Sequence, residues 1–395
     1  MSEVGLKLKK LGELVEIHNN KRIPLSSKER ANLSKIYPYY GAQGIVDYVD
    51  NYIFDGKNIL IAEDGENLKS NNKSICTLAT GKYWVNNHAH IVRANNENDT
   101  DYLFYKLNSI SFLPYITGSA QPKLNKENLL NIPVYVHEKA EQKNISKLLS
   151  KIDQKIALNN QINEELEAMA KTLYDYWFVQ FDFPDENGKP YKSSGGKMVY
   201  NDQLKREIPE GWGVKLLGEL STYVTDKISS NDLNSKNYIG TDNMLSNMKG
   251  IEQATYLPNS TLVNSFIPND ILIANIRPYF KKIWISDRTG GCSSDVLCLR
   301  ANDKEICNYL FYSLARDDFF NYNVTGSKGS KMPRGDKAHI QKYSVLFSEK
   351  HALKFSKLVS NFISQKHLIY KQNQELSQLR DWLLPMLMNG QVKVE

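Results

Sequence analysis

The feature that most constrains the fold of this chain is an internal repeat with an offset of roughly 210 residues. Leu-Gly-Glu-Leu at 11–14 recurs at 217–220, and Ile-Leu-Ile-Ala at 59–62 recurs at 271–274. Four more pairs follow in the same order: Arg-Ala-Asn at 93–95 and 300–302, Tyr-Leu-Phe-Tyr at 102–105 and 309–312, Thr-Gly-Ser at 117–119 and 325–327, and Ser-Lys-Leu at 146–148 and 356–358. So many collinear matches indicate two copies of one structural unit rather than coincidence.

Both copies show the same succession of predicted elements. The first part of each copy is rich in aromatic and β-branched residues separated by Gly, Asn and Asp, which predicts short strands and turns. The apolar runs in question are 58–62, 74–79, 89–92, 271–276 and 282–285. Each copy then ends in a long segment with helical periodicity. The predicted fold class is therefore α+β, with two tandem β-rich domains that are each followed by a long helix.

The two predicted helices carry the apolar stripe of a coiled coil. Apolar residues and a few polar ones follow a 4-3-4-3 spacing, and asparagines interrupt the seam. In the first helix the seam is Ile145, Leu149, Ile152, Ile156, Asn159, Asn163, Leu166, Ala170, Leu173 and Trp177. In the second it is Phe355, Val359, Phe362, Lys366, Ile369, Asn373, Leu376, Arg380, Leu383 and Leu387.

A helix over 138–178 would be about 60 Å long, which is more than one small domain can bury. The stripe therefore needs another helix as its partner, and the repeat supplies one. An ordinary amphipathic helix packed on a local core is the alternative. Buried asparagines in such a seam favour one pairing register at some cost in stability.

The domain bounds follow from the repeat and from composition. The stretch 184–212 is dense in Gly, Ser, Lys and Asp, which is typical of an exposed linker. The predicted order is a first β-rich domain at 1–137, a long helix at 138–182, a linker at 183–212, a second β-rich domain at 213–348 and a C-terminal helix at 349–390.

Composition limits the class of protein. The 395 residues include 50 Lys+Arg against 44 Asp+Glu, a net charge of +6 that permits nucleic-acid binding without requiring it. A mean hydropathy of −0.48 with no run of about 18 apolar residues predicts an ordered protein without a membrane-spanning helix. No secretory signal pattern is visible at the start, so we expect a cytoplasmic location. The absence of Cys-x-x-Cys predicts reduced thiols, with a structural zinc site as the alternative, at Cys76, Cys292, Cys298 and Cys307.

The motifs of the common enzyme classes are absent from the sequence. It has no phosphate-binding Gly-x4-Gly-Lys-Ser/Thr, no dinucleotide-binding Gly-x-Gly-x-x-Gly after a strand, and no Gly-x-Ser-x-Gly or His-Glu-x-x-His. It also lacks the Pro-Pro of an amino-methyltransferase, and Pro184-Asp185 has no partner for a nuclease carboxylate cluster. His88 and His90 would share one face of a strand, as a metal pair would, but no further ligands accompany them. We therefore expect a binding protein with no cofactor, no metal and no catalytic residue.

Several segments resemble the DNA-specificity (S) subunit of type I restriction–modification systems, and the resemblance covers essentially the whole chain. The most specific one is the exit of the first helix, Thr-Leu-Tyr-Asp-Tyr-Trp-Phe-Val at 172–179, with Phe-Asp-Phe-Pro at 181–184 and Ile-Pro-Glu-Gly-Trp at 208–212. Segments 270–282 and 290–296 look like one type of target-recognition domain, and 38–44, 61–65 and 118–124 look like another. The second copy departs from the first at 326–334, which suggests that the two domains recognise different sequences.

The resemblance implies two target-recognition domains that each read one half of a bipartite, asymmetric site in double-stranded DNA. It also implies that the two helices pair antiparallel and hold the domains at a fixed spacing. DNA recognition needs cations for phosphates and polar or aromatic groups for bases and sugars. The candidates are Lys21, Arg22, Tyr39, Tyr40, Gln43, Asn86, Asn87, His88, Ser119, Gln121, Lys123, Asn275, Arg277, Tyr279, Lys281, Lys282, Ser293, Ser294, Ser327, Lys328, Lys331 and Arg334.

The same resemblance implies partners. Two methyltransferase subunits would dock on the helices and methylate adenine, and endonuclease/translocase subunits would join them for restriction. The aromatic cluster Tyr174, Tyr176, Trp177 and Phe178 would pack either on a partner or on the repeat's own core. The alternatives are a coiled-coil scaffold that binds no DNA, and a DNA-modifying enzyme with a divergent site.

Overall fold

The computed structural model describes residues 5–64, 68, 75–118 and 122–394. The chain divides into two units. The first unit comprises residues 1–159 and 372–395, and the second unit comprises residues 160–371. Both long helices contribute residues to both units, which are described one at a time below.

In the first unit, the β-rich part precedes the long helix. Its strands are β1 (Lys7–Lys10), β2 (Val15–Ile17), β3 (Tyr37–Gly41), β4 (Gly44–Val49), β5 (Phe54–Asp55), β6 (Asn58–Ala62), β7 (Cys76–Ala79), β8 (Lys82–Val85), β9 (Ala89–Ala94) and β10 (Pro133–Val136). Its helices are α1 (Ser27–Ala31), α2 (Thr100–Asn108), α3 (Lys126–Leu130) and the long α4 (Lys139–Tyr174), which continues into the second unit.

The second unit has the matching set of elements. Its strands are β11 (Met198–Asn201), β12 (Arg206–Pro209), β13 (Gly213–Leu216), β14 (Ser221–Tyr223), β15 (Lys227–Ser229), β16 (Tyr238–Ile239), β17 (Leu262–Phe266), β18 (Ile271–Ala274), β19 (Ile283–Ile285), β20 (Gly290–Cys292), β21 (Val296–Ala301) and β22 (Ser344–Phe347). Its helices are α5 (Leu217–Leu220), α6 (Cys307–Leu314), α7 (Asp317–Thr325), α8 (Lys337–Ile340) and the long α9 (Glu349–Met388), which continues into the first unit.

The repeat in the sequence is a repeat in topology. In the described part of the first unit one sheet has the order β2-β9-β6-β7, and in the second unit the order β14-β21-β18-β19 repeats it. The pair β1·β10 likewise recurs as β13·β22. Each unit also has a second sheet, with the order β4-β3-β8-β5 in the first unit and β15-β17-β20-β16 in the second. Each of these sheets contains one parallel pair, which is β3·β8 in the first unit and β16·β20 in the second. The prediction of an α+β fold with two tandem β-rich domains is confirmed.

The two long helices pair antiparallel within each unit. In the first unit Arg380 Nη1 lies 2.9 Å from Asp153 Oδ1, and Asn159 Nδ2 donates to Asn373 Oδ1 at 2.8 Å. In the second unit Lys366 Nζ lies 2.7 Å from Glu167 Oε2. Numbers rise along one helix as they fall along the other, which is the order that an antiparallel coiled coil requires. The predicted pairing of the helices is confirmed.

Asn159 forms a polar layer inside the first unit's part of this coiled coil. Its side chain is buried, and its Nδ2 also donates to Gln372 Oε1 at 2.8 Å. A buried amide with partners in only one register opposes a shift of the helices, because a shift would leave it unpaired. The apolar seam around it is buried or half-buried at Ile145, Leu149, Ile152, Ile156, Leu166, Leu173, Trp177, Phe355, Val359, Phe362, Ile369, Leu376 and Leu383.

The prediction of an exposed linker after the first helix needs correction. Part of it forms the hairpin of β11 and β12, and Phe183, Ile208 and Trp212 are buried in the core of the second unit. Composition suggested a linker because polar residues outnumber these three buried side chains. The polar residues lie mostly in turns, and the three buried side chains attach the segment to the core.

The aromatic cluster at the C-terminal end of α4 packs in the core of the second unit. Tyr174, Trp177 and Phe178 are buried in the core of the second unit, where Phe178 lies 4.7 Å from Tyr309 between ring centroids. Of the two predicted alternatives, the structure shows packing on the core of the repeat. The second helix continues through Pro385 to Met388, and Leu387 and Met388 are buried in the core of the first unit.

The four cysteines are buried and free, as expected for reduced thiols. Burial raises the pKa of the Cys307 thiol to about 11 and that of the Cys292 thiol to about 12. In the described part of the chain, no group of three or more potential ligand side chains is arranged to hold a metal ion. No helix there has the length and apolar character that crossing a membrane demands.

Candidate nucleic-acid interface

Each unit carries a loop whose two ends are joined by a backbone bridge. One end of the loop also pairs with a residue just after the equivalent sheet strand, which is β6 in the first unit and β18 in the second. In the first unit Lys123 forms antiparallel bridges with Thr117 and with Asp64, which follows β6. In the second unit Arg334 forms the matching bridges with Lys328 and with Ile276, which follows β18. The two loops therefore occupy equivalent positions although their sequences differ. We call residues 117–123 the first loop and residues 327–334 the basic loop.

The basic loop presents cations on a fixed backbone. Lys328 N donates to Arg334 O and Arg334 N donates to Lys328 O, both at 2.9 Å. Lys328, Lys331 and Arg334 are exposed, whereas Ser327 is half-buried and its hydroxyl donates to Val324 O. The loop is continuous with Asp336, whose pKa is lowered to about 2 by the hydrogen bond from Lys328 and by the amides of α8 that it caps.

A second surface segment lies beside the basic loop, and we call residues 277–281 the aromatic turn. Arg277 N donates to Pro333 O at 2.7 Å, which joins the two segments. Tyr279 is 49% exposed and Phe280 is 40% exposed, with their ring centroids 4.8 Å apart. Arg277 and Lys281 both have positive φ, at 52° and 53°, which is unusual for residues other than glycine, asparagine and aspartate. Such backbone is retained where surrounding contacts hold it, and it is common at functional sites.

Internal contacts hold Lys281, the last residue of the aromatic turn, and Lys282, which follows it. Lys281 Nζ donates to Asp317 Oδ1 at 2.7 Å, and Lys282 Nζ donates to Thr241 O at 2.6 Å. Arg334 of the basic loop similarly lies 3.0 Å from Asp295 Oδ1. These exposed or half-exposed pairs position the side chains while leaving much of their charge open to solvent.

The polar candidates of the second unit divide between surface and interior. Ser294 is exposed and Ser293 is half-buried, where its hydroxyl accepts from Asp295 N at 3.3 Å. Asn275 is buried at the end of β18, and its backbone nitrogen donates to Asp295 O at 2.8 Å. Asn275 is therefore placed to support the aromatic turn from beneath.

In the first unit Arg22 lies at the centre of a charged network. Its Nη1 is 2.5 Å from Glu63 Oε2 and also donates to the carbonyls of Asn87 and Ala89. Lys123 Nζ lies 3.5 Å from Glu63 Oε1. Burial opposes ionisation of Glu63, but the hydrogen bond from Arg22 and the neighbouring positive charges outweigh burial and lower its pKa. The network ties Arg22 to the base of the first loop.

The aromatic candidates of the first unit are in the interior. Tyr39 is 2% exposed, its hydroxyl accepts from Leu25 N, and Arg30 lies over its ring. Tyr40 is also buried and packs edge-on against Tyr83. Gln43 is exposed between β3 and β4, beside residues that sequence reasoning missed: Ile45, Val46 and Tyr48, large apolar side chains exposed on β4.

The remaining candidates cluster near the start of β9. Asn87 is exposed, and Asn86 Oδ1 accepts from His88 N at 2.8 Å. His88 lies before the strand and is 2.9 Å from Asp64, whereas His90 is buried and bonded to Asn19 and the Leu124 carbonyl. The two histidines therefore do not share a face. Lys21 is exposed before this network, and Ser119 and Gln121 lie outside the described residues.

The long helices also expose apolar side chains that sequence reasoning did not single out. In the first unit these are Leu158, Leu379 and Trp382, of which Trp382 is 63% exposed. In the second unit they are Met169, Leu358, Leu368 and Tyr370. Leu158 and Leu368 occupy equivalent positions of the repeat, as do Met169 and Leu379.

Comparison with known proteins shows which family part of the chain matches and which proteins the rest resembles. The family model for the type I restriction modification DNA specificity domain matches residues 3–168. The MjaIX specificity subunit of Methanocaldococcus jannaschii is 27% identical over 320 residues, which cover 75% of this chain and 70% of that protein. Residues 3–168 therefore belong to the type I restriction modification DNA specificity domain family, and most of the chain is similar to a type I specificity subunit.

Two further comparisons agree with this similarity. S.HindORF215P of Haemophilus influenzae is 39% identical over 141 residues, and this match covers only 36% of each chain. A crystal structure of a type I restriction–modification S subunit from M. genitalium has a TM-score of 0.60 at 15% identity, covering 98% of this chain and 97% of that one. The structural likeness supports the fold of a specificity subunit over the full length of the chain.

Proposed function

We propose that this chain is a sequence-specific DNA-binding subunit that recognises a bipartite, asymmetric site in double-stranded DNA. The observation that carries the proposal is the equivalent placement of the first loop and the basic loop, which have different sequences on the same scaffold. Two similar domains with different loop chemistry suit two different half-sites.

The chemistry of the exposed loops suits DNA. Lys328, Lys331 and Arg334 can neutralise phosphates, and each phosphate contact releases counterions, so binding should weaken steeply with salt. Ser294, Asn87 and Gln43 are exposed polar groups of the kind that read base edges. Tyr39, Tyr40 and Asn275 would act by supporting the loops, because their side chains are buried.

We assign partner docking to the long helices. The first unit exposes Leu158 on α4 and Leu379 on α9. The second unit exposes their repeat counterparts, Leu368 on α9 and Met169 on α4. Two repeated sets of exposed apolar residues suit two copies of one partner, and methyltransferase subunits are the partner that the family implies. Trp382 adds a large exposed aromatic of the type that dominates binding energy at interfaces.

Catalysis in this proposal belongs to the partners. The methyltransferase subunits would methylate adenine and the endonuclease/translocase subunits would restrict, while this chain supplies specificity. A coiled-coil scaffold would explain the helices but not the two different loops. A DNA-modifying enzyme would have to use residues outside any motif recognised in the sequence.

The experiment is selection of binding sites from a random pool of DNA duplexes by the purified complex with its methyltransferase. The proposal expects two enriched half-sites separated by a fixed gap, together with a linear fall of log affinity against log salt. A scaffold would enrich nothing. Methylation or cleavage of DNA by this chain alone would favour the enzyme.

A further inference from the structure

A buried polar cluster lies behind the aromatic turn and the basic loop. Asn323, in α7, is 0% exposed, and neither its amide nitrogen nor its amide oxygen has a hydrogen-bond partner among the described residues. The same holds for Asn275 Oδ1 and Arg277 Nε in that part of the chain. Buried polar groups without partners lower the stability of a fold, so Asn323 and Asn275, which meet at Gly335, call for a role other than stability.

Gly335 brings the cluster together. A Cβ atom on Gly335 would lie 2.3 Å from Asn323 Oδ1 and 2.8 Å from Asn275 Oδ1. The two amide groups therefore both lie against Gly335, and a side chain at this position would have to displace them or the backbone. Gly335 N also donates to Asn275 O at 3.1 Å, which ties the end of the basic loop to the end of β18.

Helix α7 contacts both surface segments. At its first residue, Asp317 holds Lys281 at the end of the aromatic turn. Near its last turn, Asn323 lies under Gly335, which directly follows the basic loop. One rigid element thus sets the position of the aromatic turn at one end and that of the basic loop at the other.

We propose that Asn323 is a positioning residue that determines specificity for one DNA half-site, acting through Asn275 and Gly335. This inference rests on the proposed function. The amide of Asn323 offers both a donor and an acceptor to a site where Asn275 offers an acceptor. Closure of the aromatic turn and the basic loop on DNA pairs these groups, so the correct sequence is favoured by hydrogen bonds to atoms that have no protein partner among the described residues.

The test replaces the amide by an apolar group of similar volume. In Asn323→Leu the melting temperature stays the same or rises, because two unpaired buried polar atoms are removed. Discrimination against single base changes falls about tenfold in the half-site that the second unit reads, which is the effect of losing one specific contact. The half-site read by the first unit is unchanged, and site selection by the complex with its methyltransferase measures both.

Two further variants keep the result interpretable. Asn243, in the same unit, is also buried, but it donates to Tyr238 O and Glu252 O and accepts from Gly240 N, so Asn243→Leu lowers the melting temperature. Gly335→Ala displaces the basic loop and relaxes the same half-site as Asn323→Leu does.

Three results would overturn the inference. These are an Asn323→Leu melting temperature that falls as far as that of Asn243→Leu, equal relaxation of both half-sites, and unchanged selection at both. A wild-type complex that selects no gapped site would overturn the proposed function itself. This result would be known before any variant is made.

Discussion

Lys106 Nζ donates to the carbonyl oxygen of Met388 at 2.9 Å, which links a helix of the first unit's β-rich part to the end of the C-terminal helix. Lys106 is 4% exposed, and burial lowers its pKa. Residues 282 positions apart in sequence are joined in one core. The second unit has a related contact, because Tyr174 at the end of α4 donates to Ser313 Oγ, and Ser313 occupies the repeat position of Lys106.

This contact predicts a specific stability loss. Lys106→Met keeps the aliphatic stem but leaves the Met388 carbonyl buried without its donor, so we expect the free energy of unfolding to fall by about 1–3 kcal/mol. Urea denaturation measures it. Lys126→Met, at an exposed lysine in α3, is the control and should change stability by less than about 0.5 kcal/mol. Equal effects of the two substitutions would show that the contact with Met388 contributes nothing.

His351 predicts a pH dependence of stability. Burial and the charges of Lys350 and Lys354 lower its pKa from 6.5 to about 4, and its ring lies 4.2 Å from that of Phe183 between centroids. Between these pH values the unfolded chain binds a proton that the folded chain does not, so stability is full above pH 6.5 and falls toward pH 4.

His351→Phe retains an aromatic ring and removes the titration. We expect the melting temperature of the variant to fall less than that of the wild type between pH 6.5 and pH 4, with carboxylate titration common to both. Calorimetry over this range compares them. Parallel curves for the two proteins would mean that His351 titrates normally in the folded state.

The basic loop predicts a uniform loss of DNA affinity. Lys331 is exposed and makes no ion pair with any described residue, so Lys331→Glu should weaken binding to all sequences alike and reduce the salt slope by about 1. Lys304→Glu, an equal charge change in the turn before α6, is the control. Fluorescence anisotropy at several salt concentrations measures both. If Lys304→Glu weakened binding as much as Lys331→Glu, net charge rather than the loop would account for the affinity.

The exposed tryptophan of the C-terminal helix predicts a partner contact. Trp382→Asp should lower the affinity for the methyltransferase subunit by at least tenfold, because large exposed aromatics are typical hot spots. Tyr256→Asp, which changes another exposed aromatic in the β-rich part of the second unit, should have no such effect. Calorimetric titration with purified methyltransferase gives both constants. Undiminished binding by the Trp382 variant would place the interface elsewhere.

Local patterns predicted much of the fold. The predicted run at 58–62 coincides with β6, and the run at 271–276 contains all of β18 and extends two residues beyond it, because buried central strands are continuous apolar segments. The coiled-coil seam was visible because helical periodicity is a local property. The hairpin of β11 and β12 was not, because its anchors Phe183 and Trp212 are separated by many polar residues and bind a core built elsewhere in the sequence.

The candidate site was predicted less completely. The loops were located by the repeat, whereas the roles of their residues depend on contacts across long separations. The sequence around Arg22 does not indicate that Arg22 pairs with Glu63. Likewise, the sequence around Asn275 does not indicate that Asn275 and Asn323 both lie next to Gly335. The positive φ of Arg277 and Lys281 likewise follows from the surrounding loops and not from residue type. The domain bounds and the DNA-contact residues remain predictions.

The most direct test of the central claim is single-molecule sequencing of methyladenine in cells that express this chain with and without its methyltransferase. The account predicts a gapped, bipartite methyladenine motif that appears only when both proteins are present. It also predicts that the Asn323→Leu variant relaxes one half of that motif and leaves the other half intact. A motif produced without this chain, or no gapped motif when both proteins are expressed, would contradict the account.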